Sequence, residues 1–331
     1  MRQLATIGSQ GGATAWAHEF QGAARDIYRR TLLEMARVDP KIWCLDSDMG
    51  GLEETFAKAL PDQYVDAGIA EANLVSMAAA LAYSGKIPFV NTMASFAAAR
   101  ACEQLKVDVA YNNLPVRIVA THAGLSAGHM GPTHQAIEDI ATLRAMPNLT
   151  IIVPVDAAET AKAVRSTMDI PGPVYIRLGR KPTPLVYSRD YAFAVGQAIE
   201  LCSGGDVTII GSGPYPILSA IEAHHLLAAE GIDARVLNMH TVKPLDVSAV
   251  VEAARGTAGI VTVEDHNIIG GLGSAVAEVL AEWKPAPMKR IGIPDRYTDR
   301  AGSHRELLEW FGVSANTIAE AARAIVEGRT T

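Results

Sequence analysis

Three histidines crowd one stretch punctuated by glycine and proline, Thr121-His122-Ala123-Gly124-Leu125-Ser126-Ala127-Gly128-His129-Met130-Gly131-Pro132-Thr133-His134-Gln135. Imidazoles donate, accept or shuttle protons near neutral pH. The stretch follows an apolar, β-like run, Val116-Arg117-Ile118-Val119-Ala120. In a parallel α/β sheet, the loop beyond a strand's carboxyl end is where ligands bind. His122, His129 and His134 are therefore candidates for proton transfer or substrate contact. A zinc site built from the same three is disfavoured, because no cysteine is near and the spacing matches no zinc signature. No metal ligand is assigned to this chain.

Further residues fall at similar junctions, each with a structural and a functional reading. Asp66-Ala67-Gly68-Ile69-Ala70-Glu71 runs from a strand through a glycine turn into a helix. Glu71 either complements the helix dipole or faces a ligand crevice. Phe96 opens the next helix among small residues (Ala94-Ser95-Phe96-Ala97-Ala98). It is either a core ring or a flat wall for a heteroaromatic ligand. Asp46 and Asp48, after another strand, cap the turn or meet a cationic ligand. Arg25 and Arg177 are basic residues in apolar surroundings. A guanidinium at a strand's end suits bidentate phosphate or carboxylate binding, and the competing reading is a structural ion pair.

Alternating elements must position these residues. A helical period starts at Ala23 and stops at Pro40. Strand-like runs at 42–45, 64–67, 87–91, 116–121, 150–154 and 174–178 alternate with helical runs at 70–83, 96–111, 137–144 and 157–167. A second block repeats the pattern, with strands at 207–210, 234–238, 260–263 and 288–291 and helices at 217–230, 247–255, 274–283, 304–310 and 317–326. Repeated βα units imply mostly parallel sheets covered by helices on both faces. The expected organisation is a leader over 1–20, a first α/β domain over 21–180, a Pro/Arg/Lys-rich linker over 181–194 and a second α/β domain over 195–331.

Bulk properties narrow the function classes. The 331 residues are 49% hydrophobic and 20% charged, ordinary for a globular protein. A net charge of -7 without a basic stripe argues against nucleic acid as a partner. No apolar run approaches the roughly 20 residues that cross a bilayer, so no membrane partner is expected. Cys44, Cys102 and Cys202 are scattered and read as buried thiols of a reducing compartment. The cytoplasm is the expected location.

The order Gly-Ile-Ala-Glu (68–71), Ala-Ser-Phe (94–96), Ala-Thr-His (120–122), Gly-Pro-Thr-His-Gln (131–135) and Leu-Arg-Ala-Met-Pro-Asn-Leu (143–149) resembles the pyrimidine-binding domain of the transketolase family. The block ending Val263-Glu264-Asp265-His266-Asn267 is similar to that family's C-terminal domain. Each motif alone is weak, and the five in order are specific. The resemblance covers about residues 20–328 and implies thiamine diphosphate as cofactor. It implies that Glu71 hydrogen-bonds N1′ of the aminopyrimidine, so that the 4′ nitrogen takes the C2 proton and the cofactor serves as electron sink. It further implies that Phe96 stacks on the pyrimidine and Asp48 lies near the thiazolium. His122 and His134 would contact cofactor or sugar and move protons, while Arg25 and Arg177 hold the sugar phosphate. One departure stands out: His129-Met130 replaces the acidic pair that usually precedes Gly-Pro-Thr-His, which puts the donor sugar in question and places His129 beside the substrate.

The diphosphate of this cofactor needs a divalent metal, which the family holds with a Gly-Asp-Gly motif and a later Asn. The sequence contains no Gly-Asp-Gly. The resemblance therefore implies a split enzyme: an N-terminal partner subunit supplies the diphosphate and Mg2+ or Ca2+ half, in an α2β2 heterotetramer acting on sugar phosphates. The expected reaction moves a two-carbon ketol unit from a ketose to an aldose. The alternatives are the β subunit of a 2-oxo-acid dehydrogenase and a non-catalytic regulatory subunit.

Overall fold

The computed structural model describes residues 20, 22–187 and 190–329. The expected leader thus lies outside the described residues, apart from Phe20. Two sheets dominate. The first contains β1 (Ile42–Asp46), β2 (Tyr64–Asp66), β3 (Ile87–Met93), β4 (Arg117–Thr121), β5 (Thr150–Ile152) and β6 (Val174–Arg177), and the second contains β7 (Ile199–Cys202), β8 (Val207–Ser212), β9 (Ala234–Asn238), β11 (Ile260–Asn267) and β12 (Met288–Ile293). A short strand from the second half of the chain, β10 (Thr241–Lys243), joins the first sheet, giving the order β10-β5-β6-β4-β3-β1-β2. The second sheet runs β12-β11-β8-β9-β7. Among the described strands, only the edge pairs β10–β5 and β7–β9 are antiparallel.

The central strands are apolar because both faces of a parallel sheet are covered. All five residues of β4 are buried. Its one charge, Arg117, donates to the carbonyls of Gly172 (2.7 Å), Thr167 (2.8 Å) and Ile170 (2.6 Å). One apolar cluster joins Leu45, Leu74, Val90, Ile118 and Tyr175 on one side of this sheet. Another joins Tyr28, Leu32, Phe89, Val119 and Ile176 on the other. Each is built from the alternate residues of the strands.

The expected helix over 96–111 is interrupted. Helical turns cover Ala94–Ala98 and Cys102–Gln104, and a wider π-type coil covers Leu105–Ala110. Between the first two, the amides of Arg100 and Ala101 both reach the Phe96 carbonyl, which closes the first turn and starts the chain afresh. The expected linker has no regular element in its described part, yet it is pinned. The Val186 amide donates to Asp156 (2.8 Å), and the buried Tyr187 stacks on Tyr191 at 3.7 Å.

The two domains share one interior. Leu125, Ile137 and Val155 of the first, together with Val186 of the linker, pack with Ile209, Val263, Ile291 and Leu307 of the second. Asp265, at the end of β11, accepts the Leu125 amide (3.0 Å) and faces His304 Nε2 (2.7 Å). At Gly124 a side chain has no room: φ is +57° and a Cβ would run into the Asp265 carboxylate. At Gly128 a Cβ would lie 2.7 Å from the Gly302 carbonyl. These two glycines let the histidine loop lie against the second domain.

Candidate active site

Glu71 is the first residue of the helix Glu71–Tyr83, reached through Gly68 in a left-handed conformation (φ +65°). Its carboxylate is almost wholly buried. A buried carboxylate needs a partner, and Arg100 supplies one: its Nη1 lies 2.8 and 2.7 Å from the two oxygens. The Arg100 guanidinium also sits over the Phe96 ring, 4.3 Å from its centroid. The His134 ring meets Phe96 edge-on at 5.3 Å, and His134 Nδ1 is 2.9 Å from Thr133 Oγ1. Phe96, Arg100, Pro132, Thr133 and Glu138 line a cleft of about 630 Å3, and Tyr297 of the second domain forms part of its wall.

His122 lies at the carboxyl end of β4 with φ +59°. It is buried, with Nδ1 2.9 Å from Thr121 Oγ1. Burial lowers its pKa to about 4, and the charges of Arg180, Arg25, His134 and Arg29 act in the same direction. At neutral pH the ring is uncharged and hydrogen-bonds as a neutral imidazole. Three of these groups are arginines, close enough for their charges to act on the ring. Arg29 is tied to the Gly50 carbonyl (2.7 Å), and Arg25 pairs with the adjacent Asp26 (3.3 Å). Arg180 forms no ion pair with the described residues and lies just past the end of β6.

The remaining expected residues divide. Asp48 is exposed in a turn at φ +58°. Its neighbour Asp46 is buried, which lifts its carboxyl to about 6, and it is held by the Met49 amide (3.3 Å) and Tyr64 (3.3 Å). His129 is exposed, within electrostatic reach of Glu306 of the second domain. The structure links Glu71 to Phe96 through Arg100 and sets His134 against the Phe96 ring, while His122 lies within electrostatic reach of Arg25, Arg29 and Arg180. Among the described residues no three metal-ligating side chains converge.

Arg177 requires a correction. It is buried in an ion pair with the fully buried Asp139 (2.8 Å), and it also donates to the carbonyls of Ala136 (3.0 Å) and Asp265 (2.9 Å). Burial works against both charges, and the facing charge outweighs it: Asp139 is held below the usual carboxylate range and Arg177 above the usual guanidinium value. This guanidinium is committed to joining the two domains and is not presented to a sugar phosphate. Sequence reasoning missed Arg180 and Arg100. Arg180 could have been found by the rule already used for the histidines, because it lies in the loop beyond a strand rather than within it. Arg100 carried a weaker signal, four residues after Phe96 within the helix expected over 96–111.

Two α/β domains in this order, with a buried acid and an aromatic wall beside the carboxyl ends of a parallel sheet, define a class. Family models for the pyrimidine-binding domain of transketolase match residues 21–184, and those for the transketolase C-terminal domain match residues 196–318. The chain belongs to the transketolase family. It is 42% identical over 308 residues to one subunit of the apulose-4-phosphate transketolase of Phocaeicola vulgatus, covering 92% of this chain and 98% of that one. It is 41% identical over 305 residues to the 6-deoxy-6-sulfo-D-fructose transketolase subunit SqwH of a Clostridium species, covering 92% and 94%. A solved split-gene transketolase, described as an inactive β4 tetramer, superposes with a TM-score of 0.84 at 44% identity, covering 92% of this chain and 98% of that chain.

Proposed function

We propose that this chain is the pyrimidine-holding subunit of a split, thiamine-diphosphate-dependent transketolase that moves a two-carbon ketol unit from an anionic ketose to an aldose. The observation that carries the reading is the Glu71–Phe96 pair. A carboxyl group buried at a helix start stands beside an aromatic wall, and a planar, hydrogen-bonding group already lies stacked and paired between them. An aminopyrimidine has the same shape and the same two needs. When bound, thiamine diphosphate supplies a carbon nucleophile and an electron sink.

The chain's own residues do the rest. Glu71 holds a proton at the pyrimidine nitrogen, and Phe96 fixes the ring plane. His122, kept neutral by burial, donates or accepts a hydrogen bond at the substrate's oxygens, and His134 serves as the more open proton carrier. Arg25 and Arg180 offer charge to the donor's anionic end, a phosphate or a sulfonate. The two relatives' names specify one sugar of each kind, and both carry a negative terminus. Asp48, on its exposed turn, faces the thiazolium side, and His129 contacts the sugar where the family's acidic pair stands.

The diphosphate and its Mg2+ or Ca2+ would be held by a partner subunit with the Gly-Asp-Gly motif, in an α2β2 assembly. No helix among the described residues is long and apolar enough to cross a membrane. The test is co-expression with such a partner, followed by ketol transfer from phosphorylated and sulfonated ketoses. Turnover that needs both chains and falls at least about 100-fold in Glu71→Gln supports the reading. Wild-type turnover in Glu71→Gln removes Glu71 from the site.

A further inference from the structure

Arg100 fits none of the roles above, yet it makes the closest contacts in the cleft. We propose that Arg100 is a latch that fills the pyrimidine seat of the cofactor-free chain and must swing out before the cofactor enters. The proposal rests on the assignment of Glu71 and Phe96 to the pyrimidine.

Three observations converge. The guanidinium is planar and lies 4.3 Å from the Phe96 ring centroid, where a heterocycle would stack. One of its nitrogens donates to both oxygens of Glu71 at 2.8 and 2.7 Å, so the hydrogen bonds a pyrimidine would make are already taken. The Glu71 side chain is 2% exposed whereas that of Arg100 is 47% exposed, so the acid lies beneath and the arginine forms the cover. Physical chemistry supplies the motive. A buried carboxylate without a partner is costly, and a free subunit lacks the cofactor that would otherwise satisfy Glu71. Arginine answers both demands at once, stacking on an aromatic face while pairing with a carboxylate.

The backbone suits a moving part. Arg100 sits in the break between the turns Ala94–Ala98 and Cys102–Gln104. Its half-exposed side chain opens onto the 630 Å3 cleft, so it can rotate into solvent without disturbing the core. Phe96 and Glu71 belong to the packed elements and stay in place.

The consequence is a penalty on cofactor binding. A latch that closes about nine sites in ten weakens apparent affinity about tenfold. Removing it should tighten binding, whereas removing an ordinary contact would loosen it.

The test uses the complex reconstituted with its diphosphate-holding partner. Thiamine diphosphate with Mg2+ is titrated by calorimetry into wild type, Arg100→Ala and Glu71→Gln, and the melting temperature of the chain alone is recorded for these and for the double variant. The latch predicts that Arg100→Ala binds the cofactor about tenfold more tightly while the lone chain melts at a lower temperature. It also predicts that adding Arg100→Ala to Glu71→Gln lowers the melting temperature less than adding it to wild type, because the pair is already broken. Weaker or unchanged cofactor affinity in Arg100→Ala overturns the latch. Unchanged affinity and turnover in Glu71→Gln instead overturns the underlying assignment of the pyrimidine seat.

Discussion

Arg177 offers the sharpest separation of two roles. Replacing it with methionine leaves Asp139 buried and unpaired, since both of its oxygens face the guanidinium (2.8 and 3.1 Å) and only the Tyr175 hydroxyl (2.8 Å) remains. Two carbonyls, one from each domain, also lose their donor. Breaking a buried ion pair from one side costs about 3–5 kcal/mol. For domains of this size that corresponds to roughly 6–20 °C in melting temperature. The double variant Arg177→Met/Asp139→Asn should recover much of the loss, because no unpaired charge remains. The assay is differential scanning calorimetry on wild type and the two variants, paired with KM for phosphorylated and unphosphorylated ketoses in the reconstituted enzyme. A structural Arg177 lowers the melting temperature and changes both KM values by the same factor. An unchanged melting temperature with KM raised more than about tenfold for phosphorylated donors alone would refute this account and return Arg177 to the substrate.

Two other consequences follow from the arginines near His122. Arg180→Ala should raise KM for an anionic donor by about tenfold or more while leaving kcat and the melting temperature nearly unchanged; equal effects on neutral donors would show that its charge does not meet the substrate. His122 has a folded-state pKa of about 4, below its ordinary 6.5. Between these values the unfolded chain binds a proton that the folded chain refuses. This group therefore has no effect on stability above about pH 6.5 and lowers it as the pH falls towards 4. Its imidazole resonances should not titrate between pH 5 and 8, and a midpoint near 6.5 would contradict the buried, cation-facing environment.

Much of the architecture was legible because buried parallel strands announce themselves as apolar runs. Strands β1, β3, β4 and β6, the helix at Glu71 and the loop after β4 all follow from period and punctuation. What escaped depends on contacts between distant residues. No local pattern signals that Arg177 meets Asp139, 38 positions away, so a buried arginine and a ligand-binding arginine look alike in sequence. The edge strand β10 is three residues long and belongs to the first sheet despite lying in the second half of the chain. The break at Ala99–Ala101 hid within an alanine-rich segment of uniform helix propensity. That break places Arg100 over Phe96, and the occupied state of the site was invisible without it.

The most direct test of the half-site claim is calorimetric titration of thiamine diphosphate with Mg2+ into the chain alone and into the chain mixed with its partner. The account predicts saturable binding only in the mixture, since the pyrimidine side by itself leaves the diphosphate unneutralised. Micromolar binding to the chain alone would contradict it.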